Sequence, residues 1–478
     1  MIHYSAATNI SDILAHFRVS TEDLQKVLNE ALSKGGDYAD LFFEHTINSN
    51  IALRDGEVNR ASSNIDYGVG VRVVVGDQTG YAYVENTTLK DMLRAAQTAA
   101  GIAHLQKDSP SVKIDNKEFK NYYKIQKSWE EVSVEDKKGF IEKLNTRIFE
   151  LDKRVVKTSV SLSNSTSYIL FFNSEGVLSW DYRPMAIMYG SCTMEQGGKI
   201  ESGSASRAFR KGFEFVNDEL IETLAQEAVT QTSLMFQAIK PKGGEMPVVM
   251  GAGSSGILLH EAIGHAFEAD FNRKNVSIFS DLLGKKICNA DINVVDDGTV
   301  EFARGSINFD DEGIESQRTY IVCEGVLESY LHDRISAGYY NVKPTGNGRR
   351  QSFRYAPMPR MRVTYMESGT SREEDMIAQV KQGVYVDNFS NGQVQIGAGD
   401  FTFFVKTGYL IENGKLTQPI KDINIIGNGS KALGDITMVG NNLKVDESAW
   451  TCGKDGQSVP VGQGLPSVLI SKLTVGGE

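Results

Sequence analysis

Apolar residues recur at helical spacing in several segments of the first half of the chain. The first predicted helix begins near Thr21, which can cap it, and its apolar face comprises Leu24, Val27, Leu28 and Leu32. Further helices are predicted over residues 88–103, 134–149 and 213–238.

Runs rich in β-branched and aromatic residues predict strands between these helices. The runs are residues 40–44, 51–54, 69–75, 81–85, 155–163, 167–172 and 186–194. Turns dominate the second half, because 31 of the 46 glycines follow residue 240. Glu324-Gly325 and Asn413-Gly414 each separate two apolar runs, which predicts a hairpin at each place.

The run Lys240-Pro241-Lys242-Gly243-Gly244 is typical of a linker and divides the chain in two. We therefore expect an α+β fold with a mixed helix and sheet N-terminal domain over residues 1–239. A β-rich C-terminal domain is expected over residues 240–478. A chain of 478 residues is long enough for each domain to bury a sizeable core.

Composition narrows the class of protein. A hydrophobic fraction of 41% and a charged fraction of 23% are ordinary for a globular protein, and the net charge of −11 argues against a general nucleic-acid binder. The chain has no stretch of about 18 apolar residues, so no membrane span is predicted. The segment that follows Met1 has no basic region before an apolar core, so no secretory signal is predicted. The four cysteines form no C-x-x-C pair and suit a reducing cytoplasm, which is the expected location.

The most informative chemistry lies in the run His260-Glu261-Ala262-Ile263-Gly264-His265. Two imidazoles are usual nitrogen ligands of a catalytic zinc, and a neighbouring carboxylate is a usual base for water. The run resembles the H-E-x-x-H signature of zinc peptidases, with one extra residue between the histidines. We therefore predict a Zn²⁺ site in which His260 and His265 are ligands and Glu261 is the catalytic base.

The extra residue changes the angle between the two histidines on a helix. Histidines five apart on a regular α-helix diverge by roughly 140°, so both can reach one metal only if the helix widens. A π-type turn supplies such a widening. We predict a π-bulge or a break between Ala262 and His265, with Gly264 as the residue best able to relax the backbone there.

A catalytic zinc site also needs a third protein ligand and one open position. Residue chemistry leaves five candidates, Glu268, Asp270, Cys288, His332 and Cys452. Glu268 and Asp270 can instead form ion pairs along the motif helix. Cys452 is favoured because it lies in a glycine-bearing loop, where the nearby Lys454 would stabilise a thiolate.

One segment indicates a different class of enzyme. Gly251-Ala252-Gly253-Ser254-Ser255-Gly256 matches the G-x-G-x-x-G pattern of dinucleotide-binding proteins, and Asp270 lies near the distance expected for a ribose contact. The alternative function is therefore a nucleotide-binding oxidoreductase. Against it, no clear βαβ unit follows, and the glycines can equally permit tight packing behind the motif helix.

A basic loop over residues 345–362 stands out in this acidic chain. Arg349 and Arg350 are its candidate substrate-binding residues, suited to a carboxylate or a phosphate. The alternative is a solvated loop whose arginines pair with acids such as Asp310, Asp311 and Glu312. A nucleic-acid-associated regulatory role for the loop is weakened by the overall negative charge.

The run HEAIGHAFEADFNRK at residues 260–274 closely resembles the TldD/PmbA family of zinc metallopeptidases, in particular its TldD-like branch. Supporting segments are GSINFDDEG at 305–313, ENGK at 412–415, MVGNNLK at 438–444 and CGKDGQSVPVGQG at 452–464. The resemblance extends over most of the chain and is strongest after residue 240.

The resemblance implies a zinc held by His260, His265 and Cys452, with Glu261 as general base. It implies cleavage of unfolded or extended peptides, including removal of leader segments from modified peptides. It also implies a homodimer, or a heterodimer with a PmbA-like subunit that lacks the motif. An older label of the family, modulator of DNA gyrase, is the source of the nucleic-acid alternative.

Overall fold

The computed structural model describes residues 9–103, 112–395 and 398–477 of the chain. Within these ranges the helices are α1 (Ile10–Phe17), α2 (Thr21–Leu32), α3 (Leu89–Ala100), α4 (Val134–Leu151), α5 (Asp218–Met235), α6 (Ala269–Arg273), α7 (Arg334–Tyr340), α8 (Glu373–Gln379) and α9 (Gly429–Gly434). The strands there are β1 (Tyr38–Arg54), β2 (Glu57–Val75), β3 (Gln78–Val84), β4 (Asp115–Asn116), β5 (Val155–Asn173), β6 (Val177–Gln196), β7 (Lys199–Phe209), β8 (Gly244–Met250), β9 (Val294–Asp297), β10 (Arg318–Cys323), β11 (Val326–Leu327), β12 (Gly348–Arg349), β13 (Met358–Pro359), β14 (Val363–Met366), β15 (Gln382–Gln395), β16 (Asp400–Glu412), β17 (Lys415–Ile420), β18 (Asn424–Asn428), β19 (Ile436–Val439), β20 (Lys444–Val445), β21 (Thr451–Lys454), β22 (Gln457–Pro460), β23 (Gly462–Leu465) and β24 (Val468–Gly476). The expected α+β fold is confirmed, and both predicted hairpins, β10–β11 and β16–β17, are present.

Several strands of the first half are longer than the sequence predicted. β1 joins two predicted strands into one of 17 residues, and β5 joins two into one of 19 residues. Their central residues are rich in Ser, Thr and Asn, so the apolar pattern breaks there although the strand does not. β1 pairs with β2 on one side and β5 on the other, and backbone hydrogen bonds hold this polar centre in the sheet.

Capping residues set the helix starts that the apolar pattern misplaced. α5 begins at Asp218, rather than at Phe213, because the Asn217 side chain accepts the backbone N–H of Leu220. α2 begins at Thr21 as expected, but the cap is the preceding Ser20.

The N-terminal sheet has the order β3-β2-β1-β5-β6, and β7 and the short β4 both pair with β6. Helices α2 and α3 cover one part of this sheet, where Leu28 and Met92 share an apolar core with Val71. Helices α4 and α5 contribute Leu144 and Leu224 to a second core. The polar centre of the sheet is left facing the second half of the chain across a cavity.

The second half contains a ring of strands. In the order β15-β8-β24-β18-β16, the end strands β16 and β15 also pair with each other, so five strands close on themselves. A second sheet has the order β11-β10-β9-β14-β23-β20. Leu259 and Ile263 share the core of this half with Val248, Phe403 and Ile470, so the segment that carries the histidine motif is anchored in the apolar core.

The predicted linker follows α5, which ends at Met235, and its last residue, Gly244, is the first residue of β8. The division into domains at residue 240 stays a prediction. Across the described ranges, no helix combines the length and the apolar character that crossing a bilayer requires.

Candidate metal centre

The segment Leu258–Gly264 forms a π-helical turn, in which the backbone N–H of His265 donates to the carbonyl of His260. This bond between residues five apart widens the helix and brings the two histidines back toward one face. Their ring centroids lie 5.1 Å apart, with an interplanar angle of 79°. The predicted widening between Ala262 and His265 is therefore confirmed.

Gly264 serves this turn by its small size. Its φ of −59° and ψ of −50° are ordinary helical values, so the expectation that it relaxes the backbone is wrong. A Cβ at this position would lie 2.3 Å from the sulfur of Met361 and 2.8 Å from the carbonyl oxygen of Leu259. The second histidine is thus preceded by a position with no room for a side chain.

We expect Gly264→Ala to destabilise the protein by about 1–3 kcal/mol, the usual cost of overpacking a core. Thermal unfolding of the metal-depleted protein would measure this as a lower Tm. Gly139→Ala is the matched control, since Gly139 lies in α4 with no heavy atom within 4 Å of an added Cβ. An alanine there should hold or raise the Tm, and equal Tm values for the two variants would contradict the packing argument.

Cys452 approaches the turn from a separate hairpin. β21 and β22 pair Cys452 with Val459, and the guanidinium of Arg360 donates to the Cys452 carbonyl over 2.6 Å. The Cys452 Sγ lies 3.3 Å from Nε2 of His265. Burial opposes ionisation of this thiol, but the imidazoles of His260 and His265 outweigh burial and hold the pKa of Cys452 well below its ordinary value. The site therefore favours the thiolate that a metal requires.

The donor atoms of His260, His265 and Cys452 lie within 4.8 Å of one another, and all three residues are buried. Around a tetrahedral zinc, with bonds of about 2.0–2.3 Å, neighbouring N and S ligands stand roughly 3.5 Å apart. Both ring nitrogens of His260 are buried without a hydrogen-bond partner in the described chain. A buried imidazole with no partner is costly, and a metal would relieve it. The residues present therefore fit a zinc ion, with the fourth position free for water or substrate.

The structure separates the other four candidate ligands from this cluster. Glu268 accepts from Nδ1 of His265, and Asp270 accepts from Lys454. Cys288 lies in the apolar core, where burial raises its pKa to about 12. His332 packs against two tyrosine rings, and burial lowers its pKa to about 4.

A carboxylate and a lysine support His265 from behind. The Glu268 Oε2 lies 2.9 Å from Nδ1 of His265 and 3.0 Å from Nζ of Lys454. Burial opposes ionisation of Glu268, but Lys454 and His265 outweigh burial and lower its pKa to about 2. An ionised Glu268 fixes the ring so that Nε2 faces the other donors, an arrangement common behind metal-bound histidines. The sequence had suggested Lys454 as a partner of the thiolate, whereas its ammonium bonds Glu268 and Asp270.

We expect Lys454→Met to weaken zinc binding about 10- to 100-fold, because Glu268 would lose the cation that holds it behind His265. Competition with a zinc-binding dye would measure the affinity. Lys472→Met is the control, since it breaks only an exposed ion pair with Glu245. Wild-type affinity in Lys454→Met would mean that this contact contributes nothing to the metal site.

Glu261 follows His260 on the π-helical turn and is half-buried. Its carboxylate forms no hydrogen bond or ion pair with another described residue and is therefore available to a ligand. Its role as a base stays a prediction.

Most arginines of the basic loop are buried rather than solvated, and only Arg354 among them is half-buried. Arg349 donates to the carbonyls of Met361 and Pro460, over 2.5 and 2.8 Å. Arg350 donates to the carbonyl of Asp311 over 2.7 Å and lies 3.3 Å from the carboxylate of Asp40. Arg349 has no carboxylate partner among the described residues, and the two adjacent arginines therefore differ in what they can offer a ligand.

The glycine-rich run serves close packing. A Cβ on Gly256 would lie 2.7 Å from the backbone nitrogen of Gly464, and one on Gly251 would lie 2.5 Å from the Tyr385 hydroxyl. Asp270, the proposed ribose contact, is bound by Lys454 at 2.8 Å. These contacts account for the glycines without a nucleotide.

Family models match three segments of the chain. They are the PmbA/TldA metallopeptidase domain 1 at residues 39–103, the central domain at residues 127–236 and the C-terminal domain at residues 243–477. The chain belongs to the PmbA/TldA metallopeptidase family. The resemblance stated from the motif is thereby confirmed.

Relatives of this PmbA/TldA metallopeptidase match it nearly end to end. The metalloprotease TldD homolog of Haemophilus influenzae is 39% identical over 473 residues, which cover 97% of this chain and 98% of that protein. The zinc metalloprotease TldD homolog of Saccharolobus solfataricus is 26% identical over 465 residues, which cover 95% and 99%.

Solved structures share the fold of this PmbA/TldA metallopeptidase. A Thermotoga maritima protein described as a candidate modulator of a DNA gyrase has a TM-score of 0.77 at 21% identity, covering 95% of this chain and 100% of that one. TldE from Thermococcus kodakarensis has a TM-score of 0.73 at 18% identity, also covering 95% and 100%. At these identities the likeness shows the fold alone.

Proposed function

We propose that this chain is a zinc-dependent peptidase that cleaves unfolded or extended peptides. The observation that carries the proposal is the convergence of three buried donors, His260, His265 and Cys452. Glu261 follows the first of them and has no competing partner in the described chain. Family membership supports a peptidase, and one relative's name specifies zinc.

Zinc bound by these donors would lower the pKa of a water molecule and polarise the carbonyl of the scissile peptide bond. Glu261 takes a proton from the attacking water and delivers it to the leaving amine nitrogen. His265 keeps its orientation through this step because Glu268 accepts from its Nδ1. In this mechanism His260, His265 and Cys452 would hold the metal, and Glu268 keeps the orientation of His265. Glu261 carries the transferred proton.

We propose that the substrate lies extended along a strand edge. β21, which carries Cys452, pairs only with β22 within the part of the chain that the structure describes. A peptide that adds to such an edge gains main-chain hydrogen bonds with little sequence preference. Leader segments of precursor peptides are substrates of this kind.

A dimer, either of two copies or with a PmbA-like subunit, belongs to the same proposal. TldE, which shares the fold, supports the idea of a partner built on the same plan. A cytoplasmic location is supported by four cysteines that form no disulfide.

We expect the purified protein to contain about one zinc per chain, as a single three-ligand site would hold. Removing the metal with a chelator should abolish cleavage of an unfolded peptide, and added zinc should restore it. Mass spectrometry of metal content, beside the cleavage rate with and without a PmbA-like subunit, measures both quantities. The control variant is His332→Gln, which replaces an equally buried histidine outside the cluster, and the protein should still bind zinc. Full cleavage by protein shown to be free of metal would overturn the proposal.

A further inference from the structure

A cavity of about 480 Å³ lies between the polar centre of the N-terminal sheet and the second half of the chain. Six arginines line it together with two carboxylates, Glu44 and Asp311. The arginines are Arg60, Arg183, Arg210, Arg304, Arg349 and Arg350. The lining therefore carries a formal charge of about +4, six cations less two anions, in a chain whose net charge is −11. We call this space the arginine cavity.

Some of these arginines are neutralised within the protein. Arg183 lies 2.6 Å from the carboxylate of Asp311 and 2.8 Å from that of Asp181. Arg350 faces Asp40. Glu44 accepts from the Thr46 hydroxyl, and burial raises its pKa. These contacts use both carboxylates of the cavity for structural purposes.

Of the other four arginines, Arg60 is exposed. The remaining three, of which Arg210 and Arg349 are buried and Arg304 is half-buried, have no carboxylate within ion-pair distance among the described residues. Arg210 is only 5% exposed, its Nε has no partner, and its one side-chain hydrogen bond is 3.5 Å long, to the carbonyl of Pro184. Arg304 also has an unpartnered terminal nitrogen, and burial lowers its pKa to about 10. Burial likewise lowers the pKa of Arg349 to about 9. A buried cation without a counter-ion is costly, so these three groups mark a place where an anion would be stabilised.

The arginine cavity adjoins the metal centre. Thr451, Val459 and Pro460 line the cavity, and Val459 is the residue that pairs with Cys452 in the same hairpin. Arg304 donates to the Thr451 hydroxyl and Arg349 to the Pro460 carbonyl. One hairpin therefore forms a wall of the cavity and also supplies a metal donor, so the two sites share an element of structure.

We propose that the arginine cavity binds a carboxylate group of the peptide substrate through the guanidinium groups of Arg210, Arg304 and Arg349. The inference rests on the proposed peptidase function and adds a preference to it. Guanidinium groups pair with carboxylates in a planar, charge-assisted geometry. The facing wall offers amides and hydroxyls, among them Asn48, Asn50 and Asn164, which suit the backbone of the same peptide.

The test uses three labelled decapeptides derived from one parent sequence that has no acidic residues. The first ends in a free carboxylate, the second in an amide, and the third in an amide with one internal glutamate. Fluorescence polarisation on zinc-loaded Glu261→Gln protein gives each Kd without cleavage. We expect a carboxylate-bearing peptide to bind about 10- to 100-fold more tightly than the plain amide. Tighter binding of the first assigns a C-terminal carboxylate, and tighter binding of the third assigns an acidic side chain.

Arg210→Gln should bring the Kd of the carboxylate-bearing peptide close to that of the plain amide. The variant should fold, since it deletes a buried and unpaired charge, and its Tm should not fall. Arg207→Gln is the control, because Arg207 lies on the neighbouring β7, pairs with Glu227 and is not part of the cavity. If Arg210→Gln is unstable, Arg304→Gln replaces it. Equal Kd values for the three peptides would overturn the inference.

A second measurement separates this inference from the peptidase proposal. We expect succinate, compared with sodium chloride at equal ionic strength, to raise the Tm of the wild type but not that of Arg210→Gln. This readout needs no peptide and no cleavage. If the protein cleaves peptides but shows neither a carboxylate preference nor a succinate effect, only the cavity assignment is overturned. A succinate effect that requires Arg210 in a protein that cleaves nothing overturns only the peptidase.

Discussion

Replacing Glu261 by glutamine is expected to lower the rate of peptide cleavage by about 100- to 10,000-fold, the usual contribution of a general base. Glutamine preserves the size of the side chain but cannot accept the proton of the attacking water. Because Glu261 is not a metal donor in the cluster, the zinc content should stay near one per chain. Rates of cleavage and metal content, measured on the same preparation, check both statements.

The matched control for this variant is Glu219→Gln, at an exposed position in the first turn of α5. It removes a carboxylate of the same size and should cleave at the wild-type rate. Full activity of Glu261→Gln, with its zinc in place, would show that another group accepts the proton.

Replacing Cys452 by serine is expected to remove zinc and peptide cleavage together. The hydroxyl that replaces the thiol is a poorer zinc ligand, since zinc sites in proteins use thiolate, imidazole and carboxylate. The surrounding imidazoles lower the pKa of the Cys452 thiol, so wild-type protein presents a thiolate where serine would present a neutral group. Mass spectrometry should find about one zinc per chain in the wild type and almost none in the variant.

Cys288→Ser provides the contrast within the same chain. Cys288 is also buried, but burial alone dominates there and raises its pKa to about 12, so it remains a neutral thiol in the apolar core. Its serine variant should keep zinc, even if its Tm falls. Zinc retained by Cys452→Ser at the wild-type affinity would remove Cys452 from the site.

The two histidines and the π-helical turn could be predicted from the sequence because they lie within six consecutive residues, where spacing alone constrains geometry. Cys452 lies 187 residues from His265. Residue chemistry could only favour it among five candidates, and the family resemblance singled it out. Arg210 and Arg304 could not be found in this way, since no local pattern joins them to Arg349. What identifies them is their burial without counter-ions, which only the folded chain shows.

In the fold, too, local features could be predicted from the sequence and long-range features could not. The hairpin at Asn413-Gly414 was predictable because two residues determine the turn. The length of β1 was not, since its polar centre lacks the apolar signal and is held by neighbouring strands on both sides. Closure of the five-strand ring depends on pairings between β8, β15 and β24, which lie far apart in the sequence.

The same long-range pairing determines when, during synthesis, the three metal donors can come together. β24, residues 468–476, fills the place between β8 and β18, and the cysteine donor lies in the β21–β22 hairpin that precedes it in the chain. During synthesis on the ribosome, β8 therefore lacks its second neighbour until more than 200 further residues have been made. The histidines lack their thiolate across the 187 positions that separate His265 from Cys452. The three-donor cluster is therefore completed only after almost the entire chain has been made, and a translation product that stops before Cys452 carries just the two histidine donors.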